Sequence, residues 1–463
     1  MNDAKHQYRI EKDSMGEMQV PADAMYGAST ARAVENFPVS SLRFPRAFIK
    51  ALGNIKIAAA EVNGALGKLD QPRVQLIREV AGEVASGRWD HQFVLDIFQT
   101  GSGTSTNMNA NEVIAHRCAQ MQSEVMVHPN DHVNMGQSSN DVIPTALHVS
   151  AADLLVHELI PALQYLHTRL QNKAAATMDV VKIGRTHLMD ATPITLGQEI
   201  SAWARQIELG IARLRATLPN LAELAQGGTA VGTGLNTHPE FGSRVAAALA
   251  EVYSIEFREA ENHFEAQAAQ DAIVELSGAL RTLAVSLVKI ANDVRILNMG
   301  PRCGLGEITV PAVQPGSSIM PGKVNPVIAE SMAQVCAQVI GNDATIAFAG
   351  ASGLLDLNVM LPVMAHNIIE SEMLLTQASL MFADKCIAGL TANADVCERQ
   401  IQWSMSMVTS LAPVIGYDKA SVLAKQAVAE GKTVRQVCLD EKILDVAELD
   451  RLLDPQTMLH PSA

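Results

Sequence analysis

Leu276, Leu280, Leu283, Leu287, Ile290, Val294 and Leu297 follow one another in alternating steps of four and three residues without a miss. A strand cannot use that spacing, because its successive side chains face opposite sides, whereas steps of three and four hold one face of an α-helix. Leu196, Ile200, Trp203, Ile207, Ile211, Leu214 and Leu218 nearly repeat the pattern, and so do Ile328, Met332, Val335 and Val339. Segments near 142–175 and 363–390 bring the count to five long helices, with no βαβ alternation anywhere. The chain therefore reads as all-α (mainly α), built on an elongated central helix bundle. Many of these helices carry apolar seams on more than one side. That predicts burial against partner chains as well as within the subunit, and hence an oligomer.

Composition agrees with helix-on-helix packing. Hydrophobic residues make up 48% of the 463, but aromatics only 4%, so the core must be built from Ala, Leu, Ile, Val and 20 methionines. The length allows two to four domains. A formal charge of −14 argues against binding nucleic acid or an anionic membrane surface. The cysteines (Cys118, Cys303, Cys336, Cys386, Cys397 and Cys438) lie far apart with no CxxC pair, so neither a disulfide framework nor a metal or iron–sulfur site is expected. The first twenty residues contain no apolar signal region, and no apolar run reaches membrane-spanning length. A soluble, cytoplasmic protein in a reducing compartment is the expectation.

Residues 1 to about 40 are turn-rich, predicting loops and a small hairpin; helical patterns follow at about 45–66 and 71–86. Gln99-Thr100-Gly101-Ser102-Gly103-Thr104-Ser105-Thr106-Asn107-Met108-Asn109 then packs hydroxyls and amides around two glycines, feeding a helix that starts near Asn109. It reads equally as an elaborate N-cap or as a polar binding loop. A second polar cluster runs from His128 to Asp141, where Asp141 or Asn140 would cap a helix beginning at Val142. Capping accounts for one or two of its residues only. Lys182 to Pro193 interrupts the helical pattern again with Thr186, His187 and Asp190, although a lone histidine is more often structural than catalytic. Gly227 to Thr237 is glycine-rich but lacks the Gly-Lys-Ser/Thr end of a P-loop and follows no expected strand, so a nucleotide site is not predicted. Gly316-Ser317-Ser318-Ile319-Met320-Pro321-Gly322-Lys323-Val324-Asn325-Pro326 cannot be a regular helix or strand. Two hydroxyls, an amine and an amide on an irregular backbone between two periodic helices predict a flap over a polar site. After about 392 the helices shorten.

The 316–326 loop closely resembles the signature of the fumarase/aspartase superfamily. Together with 99–109 and with 128–141 and 184–193, it resembles the three active-site regions of class II, iron-independent fumarase. The likeness runs from Asp13 to Lys419, through Tyr26-Gly27-Ala28 and Glu35-Asn36-Phe37. His187 after Thr186, His128 before Pro129-Asn130-Asp131, and Gly322 before Lys323 all fall on the fumarase side, where aspartate ammonia-lyase has Gln, Asn and Ala.

The resemblance implies a three-domain subunit, here 1–137, 138–392 and 393–463, assembled as a homotetramer whose sites each draw on three chains. It implies reversible anti hydration of fumarate to L-malate, as in the tricarboxylic acid cycle. No cofactor or metal is implied, and the partners are a small dicarboxylate and further copies of the chain. Ser317 would be the base acting on the C3 hydrogen. Lys323, with the loop's N–H groups, would stabilise the serine anion and bind carboxylate, and His187, oriented by Glu330, would assist the departing hydroxyl through a water. Ser102, Gly103, Thr104, Ser138, Ser139, Asn140, Thr186, Ser318, Val324 and Asn325 would bind substrate. His128, Asn130 and Asp131 match a second anion site, but Val125, Met126 and Val127 supply none of the basic residues that often precede it. The alternatives are an ammonia-lyase or related fumarate-releasing lyase, and a non-catalytic structural homologue. Retention of Ser317, Lys323, His187 and Glu330 together counts against the last.

Overall fold

The computed structural model describes residues 7–122 and 124–461. Contacts group the chain into two compact units. One comprises Met1–Pro161, Ala212–Ala284 and Ala337–Thr376; the other comprises Ala162–Ile211, Val285–Cys336 and Gln377–Ala463.

Tyr8–Asp13 (β1) and Gly16–Pro21 (β2) pair antiparallel, Tyr8 opposite Pro21 and Asp13 opposite Gly16, giving the expected hairpin. The helix that follows, Ala28–Asn36 (α1), was not expected. It buries Ala28, Thr30, Ala31 and Ala33, side chains too small to mark an apolar stripe. Arg46–Ala65 (α2) and Gln71–Ala85 (α3) lie where periodicity predicts and pack on each other.

Thr104–Met121 (α4) begins five residues earlier than expected, directly after Gly103. Ser139–Leu154 (α5) also begins earlier, and its cap is Ser138 rather than Asn140 or Asp141. Pro144 thus lies inside α5 and cannot bond the Asn140 carbonyl. A π-helical turn at Leu155–Leu159 joins α5 to Ile160–Ala176 (α6). The continuous helix Ser139–Ala176 is long and apolar enough to cross a membrane by length and composition, which no uninterrupted apolar run in the sequence had indicated; 67% of its most apolar stretch is buried in the protein, as for a core helix.

The interruption at 182–193 is a β-hairpin, Val181–Thr186 (β3) with Met189–Thr195 (β4). Leu196–Leu221 (α7), Phe241–Tyr253 (α8), His263–Ala268 (α9), Asp271–Leu297 (α10), Val327–Gly350 (α11) and Leu361–Phe382 (α12) complete the long-helix region. The seam of Leu276, Leu280, Leu283, Leu287, Ile290, Val294 and Leu297 is buried throughout, none of its members exceeding 4% exposure. Burying a Leu or Ile side chain is worth about 1.5–3 kcal/mol, so this seam alone commits α10 to the core. A two-residue strand at Glu223–Leu224, parallel to Arg258–Glu259, precedes the glycine-rich loop, where no strand was expected. Ala394–Trp403 (α13), Ala412–Ile415 (α14), Tyr417–Glu430 (α15), Val434–Asp440 (α16) and Val446–Leu452 (α17) are the shorter C-terminal helices. The last of these, α15 to α17, share a core with Leu411 made of Leu423, Val434, Val437, Cys438 and Leu449, whereas Ile401 of α13 packs with Ile183 and Met407.

Candidate functional site

In the first unit, the glycines of the 99–109 cluster hold it against its neighbours. A Cβ on Gly101 would lie 1.8 Å from the Val359 carbonyl oxygen. Gly103 has a φ of +70° and sits under Ile143, so only glycine lets the turn enter α4 there. Gly103 offers α4 no side-chain cap and Gln99 Oε1 accepts from Thr106 N at 3.1 Å, which leaves the Thr104 and Ser105 N–H groups available to an anion. The Ser102 and Thr104 hydroxyls lie 2.8 Å apart beside it.

The 138–141 turn is pinned from below by Asp141, which is fully buried. One Asp141 oxygen accepts from Ser138 N at 2.9 Å. The other accepts from Gly227 N at 3.2 Å and Thr229 N at 2.9 Å. Ser138 Oγ accepts in turn from Asn140 N at 3.2 Å, closing a capping box. Asn140 Nδ2 donates to Ala230 O at 2.8 Å. The glycine-rich loop therefore acts as a support that fixes Asn140 and Asp141.

Behind Ser139 sits Lys56, fully buried on α2. Its Nζ donates to Asn107 Oδ1 at 2.9 Å, Asn134 Oδ1 at 3.0 Å and Gln137 Oε1 at 3.0 Å. Burial pulls the Lys56 amine down to about 7 and pushes the Asp141 carboxyl up to about 7, each opposed by the other's charge. The hydrogen bonds favour the charged forms, because all three Lys56 partners are acceptors and all three Asp141 partners are donors.

In the second unit, Thr186 and His187 stand at the exposed tip of the β3–β4 hairpin. Thr186 pairs with Met189, so His187 and Leu188 alone make the turn, at φ of 56° and 61°. Two consecutive positive φ values define a type I′ turn, normally filled by Asn-Gly. A non-glycine pair there costs about 1–2 kcal/mol per residue, strain of the kind found at functional sites. β3 is anchored by Glu307, whose Oε1 accepts from Arg185 Nη1 at 2.8 Å and whose Oε2 lies 3.1 Å from Lys182 Nζ.

The 316–326 loop is irregular, as expected, and is tied to itself. Gly316 N donates to Lys323 O and Asn325 Nδ2 donates to Gly316 O, both at 2.8 Å. Ser317 Oγ accepts from Ile319 N at 3.2 Å and Met320 N at 3.0 Å. Ser318 and Val324 are exposed on the same loop. Lys323, Val324, Asn325 and Glu330 line a cleft of about 750 Å³, together with Asn292, Arg295 and Asn298 near the C-terminal end of α10. The α10 residues carry no sequence signal separable from ordinary surface polarity. Among the described residues of this unit, no hydrogen bond or ion pair joins His187 to Ser317 or Glu330.

His128 is engaged locally: its Nδ1 accepts from Asn130 N at 3.3 Å and Asp131 N at 3.1 Å and caps the π-helical turn Pro129–Val133. Val125, Met126 and Val127 bring no cation to this motif, but one distant in sequence stands near it. Arg73 of α3 donates to Met126 O at 2.9 Å, although it also pairs with Asp70. Burial and the Arg73 charge both lower the neighbouring His132 imidazole.

The sequence matches a family described as Lyase over residues 16–341 and one described as Fumarase C C-terminus over residues 407–460. It is 57% identical over 456 residues to fumarate hydratase class II of Mycobacterium tuberculosis, covering 97% of this chain and 96% of that protein. Identity to fumarate hydratase class II of Halobacterium salinarum is 57% over 457 residues, covering 98% and 97%. The crystal structure of recombinant class II fumarase from Schistosoma mansoni matches with a TM-score of 0.96 at 39% identity, covering 99% of this chain and 100% of that one.

Proposed function

The chain belongs to the class II fumarate hydratases, lyases of the fumarase/aspartase superfamily, and from that premise we infer that it converts fumarate reversibly to L-malate with Ser317 as the base. The observation that carries this reading is the pair of main-chain N–H groups, of Ile319 and Met320, donating to Ser317 Oγ. A serine hydroxyl is a poor base at neutral pH unless its anion is stabilised. Two fixed donors favour the alkoxide without any reorganisation at the moment of reaction.

In the dehydration direction Ser317 Oγ takes the C3 proton of malate, and the electron pair moves into the adjacent carboxylate to give an aci-carboxylate. Lys323, on the same loop, supplies positive charge where that negative charge accumulates. Expulsion of the C2 hydroxyl from the opposite face completes the anti elimination, and His187, oriented by Glu330, delivers its proton. The α4 N-terminus with Ser102, Gly103 and Thr104, the 138–140 turn, Thr186, Ser318, Val324 and Asn325 hold the carboxylates. In a protein of −14 net charge, attraction for a dianion has to come from such local donors.

We propose further that the chain acts as a homotetramer whose sites combine residues of three chains. Phe348 and Met373 on the long helices of the first unit, 70% and 45% exposed, and Val285 in the second, 56% exposed, support the reading as apolar side chains that a partner would cover. The organisation 1–137, 138–392 and 393–463 is proposed as its domain plan, supported by the separate core under the C-terminal helices. A reducing, cytoplasmic setting is supported by six unpaired cysteines; burial pushes the Cys118, Cys336 and Cys386 thiols up to about 12.

The test is Ser317→Ala, which should lower kcat about a hundredfold or more with a smaller change in KM. Dissociating and reassembling it with inactive His187→Asn subunits should restore part of the activity. A variant with near-normal kcat would move the base elsewhere. No recovery despite proven exchange would argue for sites made within one chain.

A further inference from the structure

Lys56 lies where a sequence reading expects an aliphatic side chain, among Leu52, Ile55 and Ala59 on the buried face of α2. Its three hydrogens all go to amide oxygens. Each of those amides is held in its orientation by what its nitrogen donates to. Gln137 Nε2 donates to Val133 O at 3.1 Å and Met135 O at 3.2 Å, and Asn134 Nδ2 donates to Gln137 O at 3.1 Å. Asn107 Nδ2 donates to Asn134 Oδ1 and to Ser139 Oγ, both at 3.1 Å. Proton direction therefore runs one way through the cluster, from the ammonium into Asn107 Oδ1 and out of Asn107 Nδ2 into Ser139. Ser139 Oγ receives a hydrogen from below and, among the described residues, commits its own to no group.

We propose that Lys56 is a positioning residue for substrate binding: its ammonium fixes the direction of the Asn107 amide and so keeps the Ser139 hydroxyl free to donate to a substrate carboxylate. Without that charge the Asn107 amide can turn over. Its oxygen then faces Ser139, captures the hydroxyl hydrogen, and leaves a lone pair pointing at an anionic ligand. Asp141, held by three backbone donors in the same turn, balances the buried charge, so the network orients donors without making the interior cationic.

This inference rests on the assignment of Ser139 to the carboxylate site, and the experiment separates the two. Asn107→Asp keeps the shape and gives Lys56 an anionic partner, but replaces the donor to Ser139 by an acceptor. It should fold at some cost in melting temperature, since the new carboxylate also faces Asn134 Oδ1, and should raise KM for both malate and fumarate about tenfold or more with a smaller change in kcat per folded tetramer. That is the effect of losing one hydrogen bond to a charged acceptor. Lys56→Met should raise KM in the same direction at lower thermal stability; if it fails to fold, Asn107→Asp decides alone. Ser139→Ala is measured alongside. If Ser139→Ala raises KM while Asn107→Asp does not, the proposed role of Lys56 is overturned and the site reading stands. If Ser139→Ala leaves KM unchanged, the site assignment falls and takes this inference with it.

Discussion

Glu307 is the residue whose replacement tests most directly how the His187 hairpin is held. Its side chain is 0% exposed and faces Lys182, 1% exposed, and Arg185, 15% exposed, both on β3. Lys182 also contacts Glu199 at 2.9 Å, and Arg185 Nη2 donates to Gln400 at 2.9 Å. Neither Glu307 Oε2 nor Glu199 Oε2 makes an aligned hydrogen bond, so Lys182 holds both through charge. Two cations and two anions leave the cluster neutral. Glu307→Gln conserves shape but strands one positive charge. Removing one partner of a buried ion pair costs about 3–5 kcal/mol. Glu199 and Gln400 remain as second partners, so the cost belongs at the low end, about 3 kcal/mol. The double variant Glu307→Gln/Lys182→Met removes the stranded ammonium and should recover about 1–2 kcal/mol relative to the single. Urea unfolding at one fixed protein concentration measures both, since any oligomer makes the midpoint concentration-dependent. Thr186 ends the strand that Glu307 anchors and His187 begins its turn, so, with the roles proposed for them, kcat should fall as well; a misplacement of 1 Å is worth about a hundredfold. A Glu307→Gln protein within about 0.5 kcal/mol of wild type, the ordinary surface range, would refute the reasoning. So would a double variant as unstable as the two singles added.

Glu372 is fully buried with neither oxygen hydrogen-bonded, and burial, with Glu158 and Asp153 nearby, raises its pKa well above 4.5. The unfolded chain ionises this group near 4.5 while the folded chain keeps it protonated. Its contribution to stability is thus fully present below 4.5 and is lost as pH rises toward the folded pKa, by about 1.4 kcal/mol per pH unit. Glu372→Gln should accordingly raise the melting temperature more at pH 8 than at pH 5.5, and an equal gain at both would count against the titration. At the second anion motif, His128→Asn should change kcat/KM only slightly, since an Asn oxygen can take over the cap and Arg73 is already paired with Asp70. His187→Asn should damage it severely; comparable losses in steady-state assays would make the His128 motif part of the working site.

The long helices were legible because their seams are made of large side chains at unbroken spacing, and nothing in the fold competes with that signal. The 316–326 loop was legible for the opposite reason, since its glycines and prolines exclude every regular alternative. The β3–β4 hairpin was not, because its turn is His187-Leu188, a pair that no turn rule favours and that the surrounding strands force into positive φ. Helix starts were misplaced at Thr104 and Ser139 because threonine, serine and asparagine serve equally as caps and as first-turn residues. Three contributors to the polar regions were invisible for a common cause. Lys56, Arg73 and Arg295 reach them from helices distant in sequence, and a charged residue in a helical pattern reads as solvated surface. For the 227–237 loop, the missing Gly-Lys-Ser/Thr end argued against a nucleotide site, but the sequence could not show that its amides serve Asp141.

The turn closed by Ser317 makes the proton inventory of the proposed base visible to the backbone. An oxyanion accepts hydrogen bonds more strongly than a hydroxyl does, by about a factor of two. If Ser317 takes a proton from malate as proposed, the grip of Ile319 N and Met320 N on it would slacken at that step, and the loop would be drawn tight again when the proton leaves. Loop order and protonation state would then be two readings of one variable, with the loop loosest just when fumarate has formed and must escape. Hydrogen exchange at the Ile319 and Met320 amides should be slower in wild type than in Ser317→Ala, and should slow further as pH-corrected alkalinity favours the alkoxide. Amides indifferent to both changes would uncouple the two.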